Sequence, residues 1–70
     1  MSKADEMFKK LGYLREERKY ADVYLKTTKD LIRQFGFNKT NQSIMIDVHY
    51  ITIEELQAIN EKVKELKWNE

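Results

Sequence analysis

The fold is decided by residues 43–66, which read SIMIDVHYITIEELQAINEKVKEL. In residues 43–50, apolar side chains occupy every second position: Ile44, Ile46, Val48 and Tyr50. This alternation, with its β-branched residues, is typical of a strand that has one face against a core. From residue 51 onward the apolar residues recur three or four positions apart, which indicates an amphipathic helix. The stretch therefore predicts a strand that leads directly into a helix.

The start of this helix is marked by capping residues. Thr52 and Glu55 have the T-x-x-E spacing of a capping box, in which each side chain accepts the backbone N–H of the other. Ile51 and Leu56 have the spacing of a hydrophobic staple. The predicted helix carries one apolar stripe: Ile53, Leu56, Ile59, Val63 and Leu66. We expect that stripe to pack on the sheet of the same domain.

A second, shorter helix is predicted near the N-terminal end. Ser2 is a favourable N-cap, and Gly12 is the residue type that ends helices in the left-handed conformation. Between them, apolar side chains recur at helical spacing: Ala4, Met7, Phe8 and Leu11. The N-cap, the apolar stripe and the terminating glycine together predict a helix that ends before residue 12.

Period-two patterns predict further strands over residues 20–27 and 31–37, with polar turns after each. In the first of these, the side chains expected to face the core are Ala21, Val23 and Leu25. The second brings three apolar side chains together: Leu31, Phe35 and Phe37. Residues 13–17 alternate more weakly, and a fourth strand there is left open.

Length and composition limit the class of protein. The 70 residues suffice for one small domain, residues 1–70, and 36% charged with 41% hydrophobic residues favours a globular chain over a disordered one. The absence of cysteine excludes disulfides, thiolate metal sites and a cysteine nucleophile. The apolar runs are too short for a membrane span or a signal-peptide core, so we expect a cytoplasmic protein.

Each predicted helix and strand has one apolar face, which it can bury only by packing against another element. The predicted fold class is α+β: an antiparallel meander of three or four strands, with the N- and C-terminal helices packed on one face. The opposite face stays open to water, as is common for antiparallel sheets. On this open face we expect Tyr20, Tyr24, Lys26, Arg33, Met45, Asp47 and His49.

Residues 51–68, ITIEELQAINEKVKELKW, resemble the C-terminal segment of small uncharacterised proteins from phages, prophages and related mobile elements of Gram-positive bacteria. Those proteins often open with a short helix ending in Leu-Gly-Tyr, as Leu11-Gly12-Tyr13 does here. Their final Trp commonly follows a glycine, and in this chain Lys67 stands there. The resemblance implies a phage or prophage setting, and it implies no activity and no site residues.

Candidates for chemistry are few. His49 is the one histidine, and Asp47 lies two residues earlier on the same strand face. A catalytic or metal site needs three or more converging groups, so we interpret His49 as a partly exposed strand residue. The adjacent carboxylate pairs, at residues 16–17 and 54–55, point apart and make no acid/base dyad. We therefore expect no enzymatic activity, no cofactor and no metal.

The function that the sequence favours is protein interaction. A partner protein or a second copy of the chain would bind the open sheet face or an edge strand, by β-augmentation in the simplest case. The predicted contact residues are Tyr20, Tyr24, Arg33, Met45 and His49.

The alternative is weak binding of nucleic acid by the basic first half of the chain. Residues 1–39 hold ten Lys/Arg against six Asp/Glu, although the whole chain carries only +1. Cations interleaved with tyrosines can follow a phosphate backbone and stack bases. The residues predicted for this role are Arg15, Arg18, Lys19, Lys26 and Arg33.

Overall fold

The computed structural model describes residues 2–68, so residues 1, 69 and 70 of the predicted domain lie outside it. Two helices flank four strands: α1 (Lys3–Lys10), β1 (Leu14–Glu17), β2 (Ala21–Thr27), β3 (Ile32–Asn38), β4 (Ser43–Asp47) and α2 (Ile53–Glu65). The strands form one antiparallel sheet in the order β1-β2-β3-β4. The predicted α+β fold is confirmed, and the fourth strand is present. Within residues 2–68, no helix has the length and hydrophobicity required to cross a membrane.

Both helices begin at the predicted caps. The Ser2 hydroxyl accepts the Asp5 N–H at 3.0 Å at the start of α1. At the start of α2, the Thr52 hydroxyl accepts the Glu55 N–H at 3.1 Å, and the Glu55 carboxylate accepts the Thr52 N–H at 3.0 Å. Each bond satisfies a backbone N–H that lacks a partner within the helix. Local sequence chemistry therefore fixes where both helices start.

Both helices also end in the same way. After α1, the N–H of Gly12 donates to Lys9 O and that of Tyr13 to Phe8 O, each at 3.0 Å. After α2, Lys67 and Trp68 repeat this pattern, donating to the carbonyls of residues 64 and 63. Such an ending needs one residue with positive φ, and these are Gly12 at 94° and Lys67 at 60°. Lys67 has a Cβ and is therefore strained where a glycine would not be.

We expect Lys67→Gly to raise the free energy of unfolding by about 1 kcal/mol, because it removes the left-handed strain of a residue with a Cβ. Urea denaturation of the variant beside the wild-type chain measures this. Gly12→Ala, at the corresponding position after α1, should lower the stability by a similar amount. Equal stability of Lys67→Gly and wild type would show that the end of α2 frays in solution and relieves the strain.

The core lies between the helices and one face of the sheet. Phe8 of α1 and Ala58 and Ile59 of α2 pack there against aromatic side chains. The aromatic members are Tyr13, Tyr24, Phe35 and Phe37, each 2% exposed or less. Phe8 stacks on Tyr24 with ring centroids 4.1 Å apart.

The predicted apolar stripe of α2 packs only in its later part. Ile59 is buried, and Val63 and Leu66 pack against the core. The expectation is wrong for Ile53 and Leu56, which are 69% and 43% exposed.

The prediction for the two faces of β2 is wrong. Tyr24 lies opposite Phe35 in the register and faces the helices, whereas Val23 lies opposite Gly36 on the open face, where it is still only 3% exposed. Alternation separates two faces of a strand but does not say which is covered. Tyr24 can be buried because its hydroxyl donates to Asp5 of α1. The same register puts Lys26 and Arg33 on the helix side, so Tyr24, Lys26 and Arg33 are all absent from the open face where we expected them.

Two strands are shorter than predicted, and a third is shifted. β4 ends at Asp47 rather than at residue 50, and β2 begins at Ala21 rather than at residue 20. β3 runs over Ile32–Asn38, one residue later than the predicted 31–37. Val48 and His49 form a bend, because the chain must leave the sheet there to reach the N-cap of α2. This bend opens a cleft at one end of the sheet.

Candidate interaction surface

The open face of the sheet has an apolar centre. Met45 lies over Gly36, where a Cβ atom would come within 3.4 Å of the Met45 side chain. Three large apolar side chains on this face are exposed: Leu14 at 72%, Ile32 at 61% and Met45 at 49%. The only charged strand residues that the described register places on this face are Glu16 and Asp47. The face is therefore apolar and weakly acidic, and no Lys or Arg of the four strands lies on it.

The predicted contact residues do not come together. Tyr20 is exposed in the turn between β1 and β2, with Lys19 Nζ 5.2 Å from its ring centroid. Met45 lies on the open face, and Tyr24 is buried at 1% exposure and can contact no partner. Arg33 and His49 both line the cleft at the end of the sheet. The predicted set is thus divided among a turn, a sheet face, a cleft and the core.

The cleft lies where β3 begins and β4 ends, and its volume is about 260 Å³. Its apolar lining includes Leu31, Ile46, Val48 and Tyr50, and its polar lining includes Arg33, Asp47 and His49. Within residues 2–68, no three His, Asp or Glu side chains are grouped so that they could hold a metal ion. The cleft therefore combines aliphatic and aromatic side chains with an arginine, an aspartate and a histidine.

The basic residues predicted for nucleic acid are divided between a sheet face and a turn, and most of them are already paired. Arg15, Lys26 and Arg33 share the helix side of the sheet, whereas Arg18 and Lys19 lie in the turn after β1. Arg15 pairs with three carboxylates, those of Asp5, Glu17 and Asp22 at 2.9–3.2 Å. Arg18 pairs with Glu16 at 2.9 Å, and Arg33 pairs with Glu55 at 2.6 Å. The two lysines contact aromatic rings instead: Lys19 that of Tyr20, and Lys26 that of Tyr13. Carboxylates of the chain therefore already pair with all three arginines of the predicted set.

Arg33 belongs to a buried polar cluster with Glu55 and Tyr13. The Glu55 carboxylate accepts the Tyr13 hydroxyl at 2.5 Å and Arg33 Nη2 at 2.6 Å, in addition to the Thr52 N–H. Burial alone would raise the pKa of Glu55, but hydrogen bonds from Tyr13, Thr52 and Arg33 outweigh it and hold the pKa below the ordinary 4.5. Burial and the bond to Glu55 raise the pKa of Tyr13 to about 12. This cluster joins α2 to β3, which is a structural role.

A second buried cluster joins α2 to β2. Lys62 Nζ lies 2.9 Å from Asp22 Oδ2, and these two residues are only 5% and 2% exposed. Asp22 Oδ1 lies 3.2 Å from Arg15 Nη2 and 3.7 Å from Lys39 Nζ, although no group is aligned to give it a hydrogen bond. Burial would raise the pKa of Asp22, but Lys62 and Arg15 together hold it below its ordinary 3.8.

Because of these buried ionisable groups, we expect the free energy of unfolding to fall at both low and high pH. The lowered pKa values of Asp22 and Glu55 mean that their contribution is complete above the ordinary 3.8 and 4.5 and is lost as acid protonates them in the folded state. Burial and the hydrogen bond to Asp5 raise the pKa of Tyr24 as well. The raised pKa values of Tyr13 and Tyr24 mean that their contribution is complete below pH 10 and is lost as base ionises them, for Tyr13 near pH 12. The urea midpoint measured against pH should show both losses.

Tyr13→Phe removes one of these phenols and should weaken the alkaline loss. Tyr20→Phe, at an exposed tyrosine, is the matched control. An alkaline loss that is the same in Tyr13→Phe as in wild type would contradict the assignment.

The two edges of the sheet differ in a way that bears on binding. The β1 edge carries consecutive charged side chains at residues 15–18, which is the usual protection against unwanted strand pairing. The β4 edge carries Ser43, Ile44, Met45 and Ile46 before its single charge at Asp47. Ile46 is 45% exposed beside this edge, and no strand in residues 2–68 covers it. β4 is therefore the unprotected edge.

The directions in which the β4 backbone groups point follow from the hydrogen bonds between β2 and β3. Lys39 N–H donates to Tyr20 O at 2.8 Å, which fixes the bonded pairs between β2 and β3. These directions alternate along each strand, so the β4 residues that bond to β3 are Ser43, Met45 and Asp47. Ile44 and Ile46 therefore direct their backbone N–H and C=O groups away from the sheet. Sequence reasoning missed these two residues, although the lack of charge in residues 43–46 beside the charged residues 15–18 was a usable signal.

Comparison with protein-family models, with curated proteins and with solved structures found no match for this chain.

Proposed function

We propose that this chain is a small, non-enzymatic protein-interaction module, which binds an extended strand of its partner along the edge of β4. The observation that carries the proposal is the difference between the two sheet edges. β1 is covered with charged side chains. Along β4, the backbone groups of Ile44 and Ile46 point away from the sheet with no strand paired to them in residues 2–68, and the neighbouring side chains are apolar. Strand addition uses such an edge, because main-chain hydrogen bonds supply affinity and alternate side chains supply specificity.

The surfaces beside β4 suit an apolar strand on both sides of the sheet. On the open face, an added strand would cover Met45, which is half exposed. On the helix side it would cover Ile46 and reach the cleft lined by Val48, His49 and Tyr50. Met45 and His49 therefore remain proposed contact residues.

The proposed setting is the cytoplasm of a bacterium that carries a phage or prophage. It is supported by the resemblance of residues 51–68 and by the cysteine-free composition. The nucleic-acid alternative gains no support from the geometry, since Arg15, Arg18 and Arg33 are neutralised by carboxylates of the chain.

The test uses a tagged chain expressed beside an untagged one, so that a second copy and other cell proteins are both scored after capture. Ile46→Lys adds a charge beside the β4 edge at a position that is 45% exposed, so we expect the variant to fold, and circular dichroism checks this. Leu14→Lys, at 72% exposure on β1, is the matched control. We expect the wild-type and Leu14→Lys chains to capture the same proteins, and Ile46→Lys to lose them.

Two results would overturn the proposal. One is that Ile46→Lys captures everything the wild-type chain captures. The other is that capture disappears after nuclease treatment and at raised salt, which would favour the nucleic-acid alternative.

A further inference from the structure

We infer that the strand bound along β4 is β4 of a second copy of this chain, paired antiparallel about a two-fold axis at Met45. The inference rests on the proposed function and names its partner. It would join two four-stranded sheets into one of eight strands, with all four helices on the same side.

The backbone directions fit this pairing. With Met45 on the axis, Ile44 of each copy lies opposite Ile46 of the other. Both residues direct their N–H and C=O groups outward, so each Ile44–Ile46 pair exchanges two N–H···O=C bonds. Met45 then faces its own copy across a pair without hydrogen bonds, where side chains approach most closely.

The side chains of β4 are self-complementary in the same register. Ile44 and Ile46 lie on the helix side and pair with each other, which covers the exposed part of Ile46. On the open face Asp47 lies opposite Ser43 of the second copy. The Ser43 hydroxyl donates to Asn41 Oδ1 within its own chain at 2.5 Å, and in the pair it would turn to donate to the carboxylate instead. The one charged residue of the strand thus meets a hydrogen-bond donor and not its own like charge.

Other registers fit less well. Moving the axis to Ile46 would place Asp47 opposite Met45, which would set a carboxylate against an apolar side chain. Moving it to Ile44 would leave Asp47 without a partner. Only the axis at Met45 pairs all five residues of β4 with one another.

The charge distribution explains why association would stop at two copies. The opposite edge of the sheet, β1, carries charged side chains that pair within the chain, such as Arg15 with Asp5 and Arg18 with Glu16. A two-fold contact through β4 uses the one unprotected edge of each copy and closes the assembly. The net charge of +1 gives little repulsion between copies.

The first test uses the absence of cysteine in the chain. Across an antiparallel pair without hydrogen bonds, Cα atoms lie about 4.5 Å apart, which a disulfide can span. In a glutathione redox buffer, most of the Met45→Cys chain should become a disulfide-linked dimer. Ile46→Cys and Leu14→Cys should remain monomers, because in this register neither residue faces its own copy.

The second test introduces a charged residue at position 45, on the two-fold axis. Met45→Glu and Met45→Lys place like charges opposite each other, so each variant alone should sediment at the monomer mass of 8.5 kDa. An equal mixture of the two should sediment at twice that mass, as the wild-type chain should. Circular dichroism checks that each variant is folded.

A wild-type chain that stays at 8.5 kDa at all concentrations, with no linked Met45→Cys dimer, would overturn the inference. The inference would also be overturned if the Leu14→Cys chain formed a disulfide-linked dimer as fast as the Met45→Cys chain. If Ile46→Lys nevertheless loses another captured protein, the proposed function stands without the second copy. If Ile46→Lys loses nothing, the proposed function fails as well.

Discussion

Glu55→Ala is expected to lower the free energy of unfolding by about 3 kcal/mol and the melting temperature by roughly 12–24 °C. The substitution leaves Arg33, whose side chain is 13% exposed, without its carboxylate partner. It also removes the acceptor of the Tyr13 hydroxyl and half of the capping box of α2. Because a chain of this size is stable by only a few kcal/mol, the variant should be largely unfolded at moderate temperature.

Glu54→Ala is the matched control for this experiment. It removes a glutamate from the same turn of α2, but Glu54 is exposed and the structure gives it no ion pair or hydrogen bond within the described residues. Its effect should stay within about 0.5 kcal/mol. Thermal melting of the two variants by circular dichroism checks the difference, and equal melting temperatures would show that the Glu55 cluster contributes nothing beyond helix propensity.

Asp22→Asn is expected to be comparably destabilising, by about 3 kcal/mol. Asp22 is the one ion-pair partner of Lys62 within 4.0 Å in residues 2–68, and Lys62 is only 5% exposed. Removing the carboxylate charge therefore leaves an ammonium group buried over the ring of Tyr24 with no compensating anion in contact. A buried charge without a partner costs much more than the pair contributes when intact.

Lys62→Met is expected to cost less than Asp22→Asn, because Arg15 and Lys39 remain near the Asp22 carboxylate. The double variant Asp22→Asn, Lys62→Met should be more stable than Asp22→Asn alone, since it also removes the buried ammonium group that has lost its anionic partner. Urea denaturation of the three variants gives the order. A double variant less stable than Asp22→Asn would mean that Lys62 acts mainly through the packing of its aliphatic stem.

The elements that the sequence predicted well are those fixed by neighbouring residues. The capping box of Thr52 and Glu55 and the left-handed turn at Gly12 depend on contacts within a few positions, so their patterns are visible in a single chain. The α+β arrangement followed in turn, because two amphipathic helices and a one-faced sheet have few ways to cover each other.

The faces of β2 could not be predicted in this way. Val23 and Leu25 looked more suitable for a core than Asp22 and Tyr24, on hydrophobicity alone. The structure reverses the faces because the polar groups of the buried side find distant partners: Asp5 for Tyr24 and Lys62 for Asp22. Those partners lie 19 and 40 positions away in the sequence, and no local pattern connects them.

The predicted site residues depended on distant contacts in the same way. The prediction that an edge strand binds a partner stays a prediction, and the sequence did not identify which edge was free. Arg33 was chosen for its charge, but Glu55 already neutralises it, as Asp5 and Asp22 neutralise Arg15. Met45 was chosen as an exposed apolar strand residue, and its position on the open face does not depend on distant partners.

The central claim is that the outward backbone groups of β4 are bound by a second strand. Amide hydrogen exchange followed by NMR tests it at single residues. In an isolated chain the amides of Met45 and Asp47, which bond to β3, should exchange slowly, while those of Ile44 and Ile46 should exchange fast. We expect the protection of Ile44 and Ile46 to rise with protein concentration until it matches that of Met45. Fast exchange of both isoleucine amides at every concentration would contradict the account.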